Sequence, residues 1–473
     1  MPTPSPYEEL LPETRRALLH RIAVAQSESR APSLVAAVVR DGRTVWTGAR
    51  SCVPGHEPDG DTQYRIGSIT KTFAAVLVLR LRDEGLLDLT DPLGKHLDGT
   101  HVGDGTGVGE GTGVGELTVG QLLSHTAGLA SESPGPWWER TPGELRPALA
   151  DVLGEKPRLH PAGRRYHYSN PGFTLLGALV ERLRGEPWGD VLWREVLEPL
   201  GMTRTTLLPQ APHAGGWAVH PWADLMLPEA VQDTGLMAPA GQLWSTTDDL
   251  ARWAAFLAGG DDAVLSAGSV AEMRDPAAPA EGGERAALDA PYGLGLQLLR
   301  TGGRTLAGHT GSMPGFVGAL WVSVADGVGA VALANSTSGT GPVAADLLKL
   351  VAEREPRIPE PWRPLSDPDP ALLALTGPWY WGPTALALRL REGRALELGP
   401  IAGSGRASRF RPEPDGTWTG LDGYYAGETL RAVRGPDGAV SHLDLGSFVL
   451  TRAPYDPAAP VPGGTDPGGW RAG

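Results

Sequence analysis

Two strand–turn–strand patterns, set far apart along the chain, constrain its fold more than any other feature. Residues 33–39 (SLVAAVV) and 43–49 (RTVWTGA) are apolar and β-branched runs joined by Arg40-Asp41-Gly42, and an Asp-Gly between such runs is a strong hairpin turn. The second pattern, GFVGALWVSVADGVGAVALANST (315–337), turns at Asp326-Gly327. A helical pattern precedes the first hairpin at 13–29, with Leu18, Leu19, Ile22 and Ala23 on one face. Another follows the second hairpin at 341–355, where Pro342 suits a first helical turn. Helix then hairpin at one end, and hairpin then helix at the other, predict one antiparallel sheet built from both ends. The long middle is then expected to be a mostly helical insertion. Within it, residues 68–85 (SITKTFAAVLVLRLRDEG) read as a helix apolar enough to be buried.

The texture changes after this segment. Residues 356–370 (PRIPEPWRPLSDPDP) form a proline-rich, charged linker. Beyond it come seven short strand candidates, at 385–391, 395–399, 408–412, 417–421, 429–434, 440–445 and 448–452. Most of the gaps between them carry Glu-Gly or Asp-Gly pairs, which predicts a small antiparallel barrel or sandwich. The expected organisation is a first domain at 1–355, a linker at 356–370, a small β domain at 371–455 and a frayed tail at 456–473. The tandem hexads GTHVGD, GTGVGE and GTGVGE at 99–116 are too few for a solenoid and read as an expanded surface loop.

Composition removes several function classes. A formal net charge of −14 offers no basic face, so no nucleic-acid partner is expected. The single cysteine, Cys52, rules out an internal disulfide framework and thiolate zinc sites, and the eleven histidines show no HExxH-type spacing. Neither metal nor cofactor is expected. The N-terminal stretch lacks the basic start and apolar core of a signal peptide, and no apolar run reaches the ~20 residues of a membrane span. The expectation is a cytoplasmic protein without a membrane partner. With 65 glycines and 44 prolines, the chain is rich in turns, and a site built on loops follows.

Three local patterns carry chemistry. Gly67-Ser68-Ile69-Thr70-Lys71 places a serine at the start of the buried helix with a lysine one turn on, and residues i and i+3 share a helix face. A serine needs a base at neutral pH, and a lysine serves if burial or neighbouring charge lowers its pKa. Only four lysines occur in the chain, and this one sits at an apolar helix start. The Ser68 N–H is placed to stabilise an oxyanion. In Tyr166-His167-Tyr168-Ser169-Asn170, an extended backbone points Tyr168 and Asn170 the same way. The tyrosine can relay protons, and the Asn170 amide can hold a substrate carbonyl and the lysine together. In Gly308-His309-Thr310-Gly311-Ser312, Gly311 permits close backbone approach, which makes the Ser312 N–H a second oxyanion donor. His309 can orient the tyrosine or meet the substrate. Each pattern alone also fits an ordinary cap or polar turn.

Taken in order, Ser-x-x-Lys, Tyr-x-Asn and His-Thr-Gly resemble the three-element signature of serine penicillin-recognising enzymes, in particular class C β-lactamases and low-molecular-weight D-alanyl-D-alanine carboxypeptidases. The stretches LLSHTAGL (122–129), LEPLGMTRTTL (197–207) and AGQLWSTTDDLARWAAFL (240–257) match as well, and the resemblance covers roughly residues 10–355. The His-Thr-Gly form is similar to the carboxypeptidase side and to some family VIII esterases. This resemblance implies an α/β (α+β) fold, with an antiparallel sheet flanked by helices. It implies Ser68 as nucleophile, Lys71 as base or proton relay, and Tyr168 as proton donor to the leaving group. Asn170, Thr310, Gly311 and Ser312 would bind substrate. His309 stands where a lysine is usual, so recognition of a β-lactam carboxylate is less assured.

Such a domain, followed by a linker and a small lipocalin-like barrel, also resembles the layout of penicillin-binding-protein-type thioesterases, which release and cyclise nonribosomal peptides. The expected substrate is a small or peptidic acyl compound, with a peptidyl carrier-protein thioester among the candidates. A promiscuous carboxylesterase is the alternative. Trp137, Trp138, Trp217, Trp222 and Trp244 are candidates to line a peptide groove. Arg452, with Arg409 and Arg431 behind it, is the candidate in the small domain for pairing with a peptide carboxylate.

Overall fold

The computed structural model describes residues 9–97, 113–141, 143–278, 292–337, 341–358, 361–446, 448–454, and the single positions 456, 458 and 460. The chain divides into two compact units, Met1–Ile358 and Pro359–Gly473.

In the first unit, six strands form one antiparallel sheet: β1 (Ser33–Arg40), β2 (Arg43–Ser51), β3 (Gln297–Thr301), β4 (Arg304–Met313), β5 (Phe316–Ser323) and β6 (Val328–Ala334). Their order is β2-β1-β6-β5-β4-β3. The two hairpins meet at the centre, where β1 pairs with β6 from Leu34 opposite Ala334 to Arg40 opposite Val328. The sheet is thus sewn from both ends, as the hairpin pattern predicts. Four strands were legible as hairpins. The other two, β3 and β4, were not, because they meet at Gly302-Gly303, and β4 carries Gly308 and Gly311 where a strand reader looks for branched side chains.

Period-two alternation sends side chains to both faces of the sheet. On one face, Leu34, Ala36, Val38, Ala330 and Ala332 pack with Leu18 and Ile22 of α1 (Pro12–Glu28) and with Leu347 and Val351 of α5 (Val343–Arg354). On the other, Val35, Leu320, Val331 and Leu333 join the larger core built with α2 (Thr70–Asp83), α3 (Asn170–Arg184) and α4 (Thr247–Gly259). Helix α2 is buried on every side through its first ten residues, which explains its unbroken apolar sequence. Helices supply most regular structure of the insertion, together with strands of only two or three residues. Of the glycine-rich repeat, residues 99–112 lie outside the described residues, and Val114–Glu116 is a short turn whose Val114 enters the core.

In the second unit, β7 (Gly377–Trp381), β8 (Thr384–Leu390), β9 (Leu396–Pro400), β10 (Ser408–Pro412), β11 (Trp418–Gly420), β12 (Thr429–Arg434), β13 (Val440–Leu445) and β14 (Phe448–Leu450) pair in chain order. Main-chain bonds in both directions between Tyr380 and Thr451 bring the first strand to the end of the last, giving a nearly closed barrel around Trp379, Leu398, Phe410, Leu430 and Leu450. Strand β7 was missing from the sequence reading, since GPWYW opens on Gly-Pro and shows no alternation.

Candidate active site

Ser68 lies in a short 3-10 turn, Gly67–Ile69, that runs straight into α2. It caps neither element, and Lys71 is buried, so the pair is not a capping serine beside a surface lysine. Two glycines press this turn against β4. Gly67 has φ +53°, and a Cβ there would fall 2.5 Å from the Ser312 nitrogen. A Cβ on Gly311 would collide with the Ile66 carbonyl oxygen and stand 3.1 Å from the Ser68 nitrogen. Backbone meets backbone here because neither residue has a side chain. The amide nitrogens of Ser68 and Ser312 are thereby brought to one junction, the close approach expected of Gly311.

The Lys71 ammonium donates to Ser68 Oγ at 3.0 Å, to Asn170 Oδ1 at 2.7 Å and to the Ala240 carbonyl at 2.6 Å. Its three protons are thus all placed, and of the three accepting oxygens only the serine hydroxyl has a proton of its own to give. The Tyr168 and Phe173 rings close over it, with centroids 4.9 and 5.7 Å from Nζ. Burial pulls Lys71 from 10.5 down to about 7, against the opposing charges of Glu132 and Glu139. Near neutrality a large fraction of the amine is therefore free to accept a proton.

Asn170 opens α3, behind the N-cap Ser169, whose Oγ accepts the Gly172 N–H at 3.1 Å. Its Oδ1 holds Lys71, as expected, but its Nδ2 donates to Glu132 Oε1 at 2.7 Å. The same carboxylate takes the Trp138 indole N–H at 2.9 Å. Each polar atom of the amide thus holds one protein group, and Nδ2 has a second N–H beyond the one given to Glu132.

Tyr168 lines the cleft beside Ser68. Burial lifts its phenol well above the ordinary range, against a pull from the Ser68 hydroxyl, so the proton stays on oxygen. The tyrosine is held by His125, a residue given no role in the sequence reading. The His125 carbonyl accepts the His167 N–H at 2.8 Å, and its Nδ1 accepts the Ser169 N–H at 3.1 Å. Both flanks of Tyr168 are thereby fixed by one residue, whose ring also packs on Tyr168 with centroids 4.4 Å apart. His125 itself sits at φ +57°, a conformation imposed by the turn.

His309 is buried in β4. Its Nδ1 faces the Thr310 carbonyl at 2.5 Å and must be the protonated nitrogen, since a carbonyl only accepts. Nε2 then accepts the Tyr292 hydroxyl at 3.1 Å. Burial and the Lys71 charge pull the imidazole down to about 3, so it is neutral. Thr310, with its N–H and hydroxyl both on Gln297 Oε1, joins Gly311 and Ser312 along one wall of a cleft of about 580 Å³, with Ser68, Tyr168 and Glu139 also lining it.

Two candidates are corrected. Trp244 is only 1% exposed; it packs edge-on against Phe316 and pairs through its backbone with Arg65 and Thr206, so it is core and lines no groove. Of the other tryptophans, Trp138 is buried on Glu132, while Trp137 and Trp222 stand exposed. Arg452 gives both Nη1 protons to the carbonyls of Thr376 and Pro378 and one Nη2 proton to that of Ala374, and it stacks 3.9 Å over Trp379, so its first role is to tie the barrel end together. Arg409 is paired with Asp422, and Arg431 faces Asp444 across the barrel ladder. The sequence reading also missed Glu132 and Glu139. Their signal was faint: two acids framing the aromatic pair of residues 137–138 in an irregular loop.

Among the described residues no group of side chains is disposed to bind a metal, and no helix is long and apolar enough to cross a membrane. Comparison with known proteins agrees with the architecture. The chain is similar to penicillin-binding protein 4 of Amycolatopsis lactamdurans, at 27% identity over 74% of this chain and 93% of that protein. Its fold matches the octameric penicillin-binding protein homologue from Pyrococcus abyssi with a TM-score of 0.60, at 21% identity over 92% and 99% of the two chains. It also matches a D-stereospecific amidohydrolase from Streptomyces sp., with a TM-score of 0.57 and 26% identity over 72% and 97%. A domain of unknown function, DUF7586, matches residues 368–452. The beta-lactamase family model spans residues 18–353, well over half of the chain, and the protein therefore belongs to the β-lactamase family of serine hydrolases.

Proposed function

We propose that this serine hydrolase forms an acyl-enzyme on Ser68 from a peptide-like donor and passes the acyl group to water or to an amine. The observation that carries this reading is the 3.0 Å contact between Ser68 Oγ and a buried Lys71 whose pKa has fallen to about 7. In the proposed reaction, neutral Lys71 takes the Ser68 proton as Oγ attacks the acyl carbon. The carbonyl oxygen becomes an oxyanion between the Ser68 and Ser312 amides. The proton returns through Tyr168 to the departing nitrogen or sulfur, and the acyl–leaving-group bond breaks. Attack by water or an amine on the ester then reverses the proton path and frees Ser68. Asn170 serves by fixing Lys71.

The likeness to a D-stereospecific amidohydrolase supports D-configured peptides as donors, and a peptidyl thioester closing on its own amine is the cyclising form of the same chemistry. A second reading, a broad carboxylesterase, is favoured by His309, which puts a neutral buried ring where anion recognition would want a cation.

Intact-mass analysis after a fluorophosphonate tests the nucleophile: one adduct is expected on the wild type and none on Ser68→Ala. An adduct on the variant refutes it. Turnover of a peptidyl thioester ending in a D-residue, set against p-nitrophenyl butyrate, separates the two substrate readings.

A further inference from the structure

We propose that Glu139 makes the Ser68 cleft selective for acyl donors that carry a primary ammonium near the scissile carbonyl. This rests on the acyl-enzyme reading above and names its substrate class. Among the described residues lining the cleft, Glu139 carries the one formal charge. His309 is neutral, with both ring nitrogens committed, and offers nothing to an anion.

Glu139 is an unpaired carboxylate. Its Oε2 accepts the Trp137 indole N–H at 3.0 Å, while Oε1 has no hydrogen-bond partner among the described residues. The cations around it are spent elsewhere. Arg140, the next residue, is turned onto Glu229 in a two-pronged pair at 2.9 and 2.6 Å and lies over the Trp137 ring. Arg65 gives its two terminal nitrogens to Gln232 and Gln242, at 2.8 and 2.9 Å. Lys71 is occupied three times over. A half-buried carboxylate without a cation in hydrogen-bond contact is costly, and burial pushes the Glu139 carboxyl up although the more distant charges of Arg65 and Lys71 pull it the other way. A ligand that brings its own cation removes that cost and gains a charge-assisted hydrogen bond, whereas a carboxylate in the same place adds repulsion. In an α-amino acyl group the nitrogen is only about 2.5 Å from the carbonyl carbon, so an amine fits within a cleft of this size.

The test compares kcat/KM for leucine p-nitroanilide with a free α-amine, its N-acetyl form, and N-acetyl-ornithine p-nitroanilide, each as D and L isomers, in the wild type and in Glu139→Gln. Gln keeps an acceptor for Trp137. The wild type is expected to favour an amine-bearing substrate over N-acetyl-leucine by about tenfold or more, and Glu139→Gln to bring that ratio close to unity. The leucine and ornithine arms tell an α-amine from a side-chain amine. Any effect of the lost charge on Lys71 acts on every substrate and cancels in the ratio. Calorimetric binding of leucine amide to Ser68→Ala asks the same question without turnover, and Glu139→Gln in that background is expected to weaken it by a similar factor. Equal rates for amine and acetylated forms, or a preference unchanged in Glu139→Gln, overturn the proposal. Glu139-dependent binding of leucine amide, together with a wild type that is never acylated on Ser68, upholds it and refutes the acyl-enzyme reading instead.

Discussion

The pH dependence of Ser68 labelling is the sharpest consequence of the site. If Lys71 is the base, the rate of covalent modification follows its neutral fraction. A group titrating at about 7 is about 9% neutral at pH 6 and about 91% neutral at pH 8. Labelling by a fluorophosphonate should therefore rise about tenfold between these two values and then level off. An amine left at 10.5 would rise about a hundredfold over the same interval and keep climbing. The assay is the second-order rate constant for adduct formation, read by intact mass from pH 5.5 to 9.5. Glu132→Gln supplies the internal control. It removes a carboxylate that holds the ammonium up, so the midpoint should move to lower pH. A profile still rising tenfold per unit above pH 8, or one flat from 6 to 8, would refute Lys71 as the titrating base. The same depression has a thermodynamic side. Between about 7 and 10.5 the unfolded chain holds a Lys71 proton that the folded chain lacks, so this lysine's contribution makes stability rise with pH across that window and leaves it flat below.

Tyr168→Phe should lower kcat far more than it changes KM, because a proton relay acts in the transition state; an effect confined to KM would make the tyrosine a binding group. His125→Phe keeps a ring against Tyr168 but loses the Nδ1 acceptor for the Ser169 N–H, and His125→Asn keeps an acceptor and tolerates the left-handed backbone. Asn is expected to retain more kcat than Phe, and the reverse order would place the ring contact above the hydrogen bond. Gly311→Ala drives a methyl into the Ile66 carbonyl and should abolish Ser68 labelling, with a lower melting temperature; an active, stable variant would contradict the backbone-on-backbone junction. Arg452→Ala should loosen the barrel, seen as a lower calorimetric transition for that unit in the full chain, while esterase KM stays unchanged; a selective KM effect on peptides would restore a recognition role.

What the sequence determined was local. The Asp-Gly turns, the period-two runs and the Ser-x-x-Lys spacing act over a few residues, and the hairpins, the sheet assembled from both ends and the contact of Ser68 with Lys71 all followed from them. The barrel was legible for the same reason, from short strands punctuated by glycine. Tertiary structure decided everything that depends on what arrives from elsewhere in the chain. Lys71 titrates near 7 because α2 is enclosed on all sides, so that burial outweighs the charges of Glu132 and Glu139, while Asn170 and the Ala240 carbonyl fix the amine from two other segments. Strand β4 was obscured by the very glycines that let it touch the Ser68 turn. Trp244 and Arg452 read as available groups, but packing engaged both, one in the core and one on three carbonyls. Glu139 is an acid in any reading, yet only the fold sets it in the wall of the cleft that holds the nucleophile, with no cation in hydrogen-bond contact, because burial and ion pairing are properties of neighbours in space and not of neighbours in sequence.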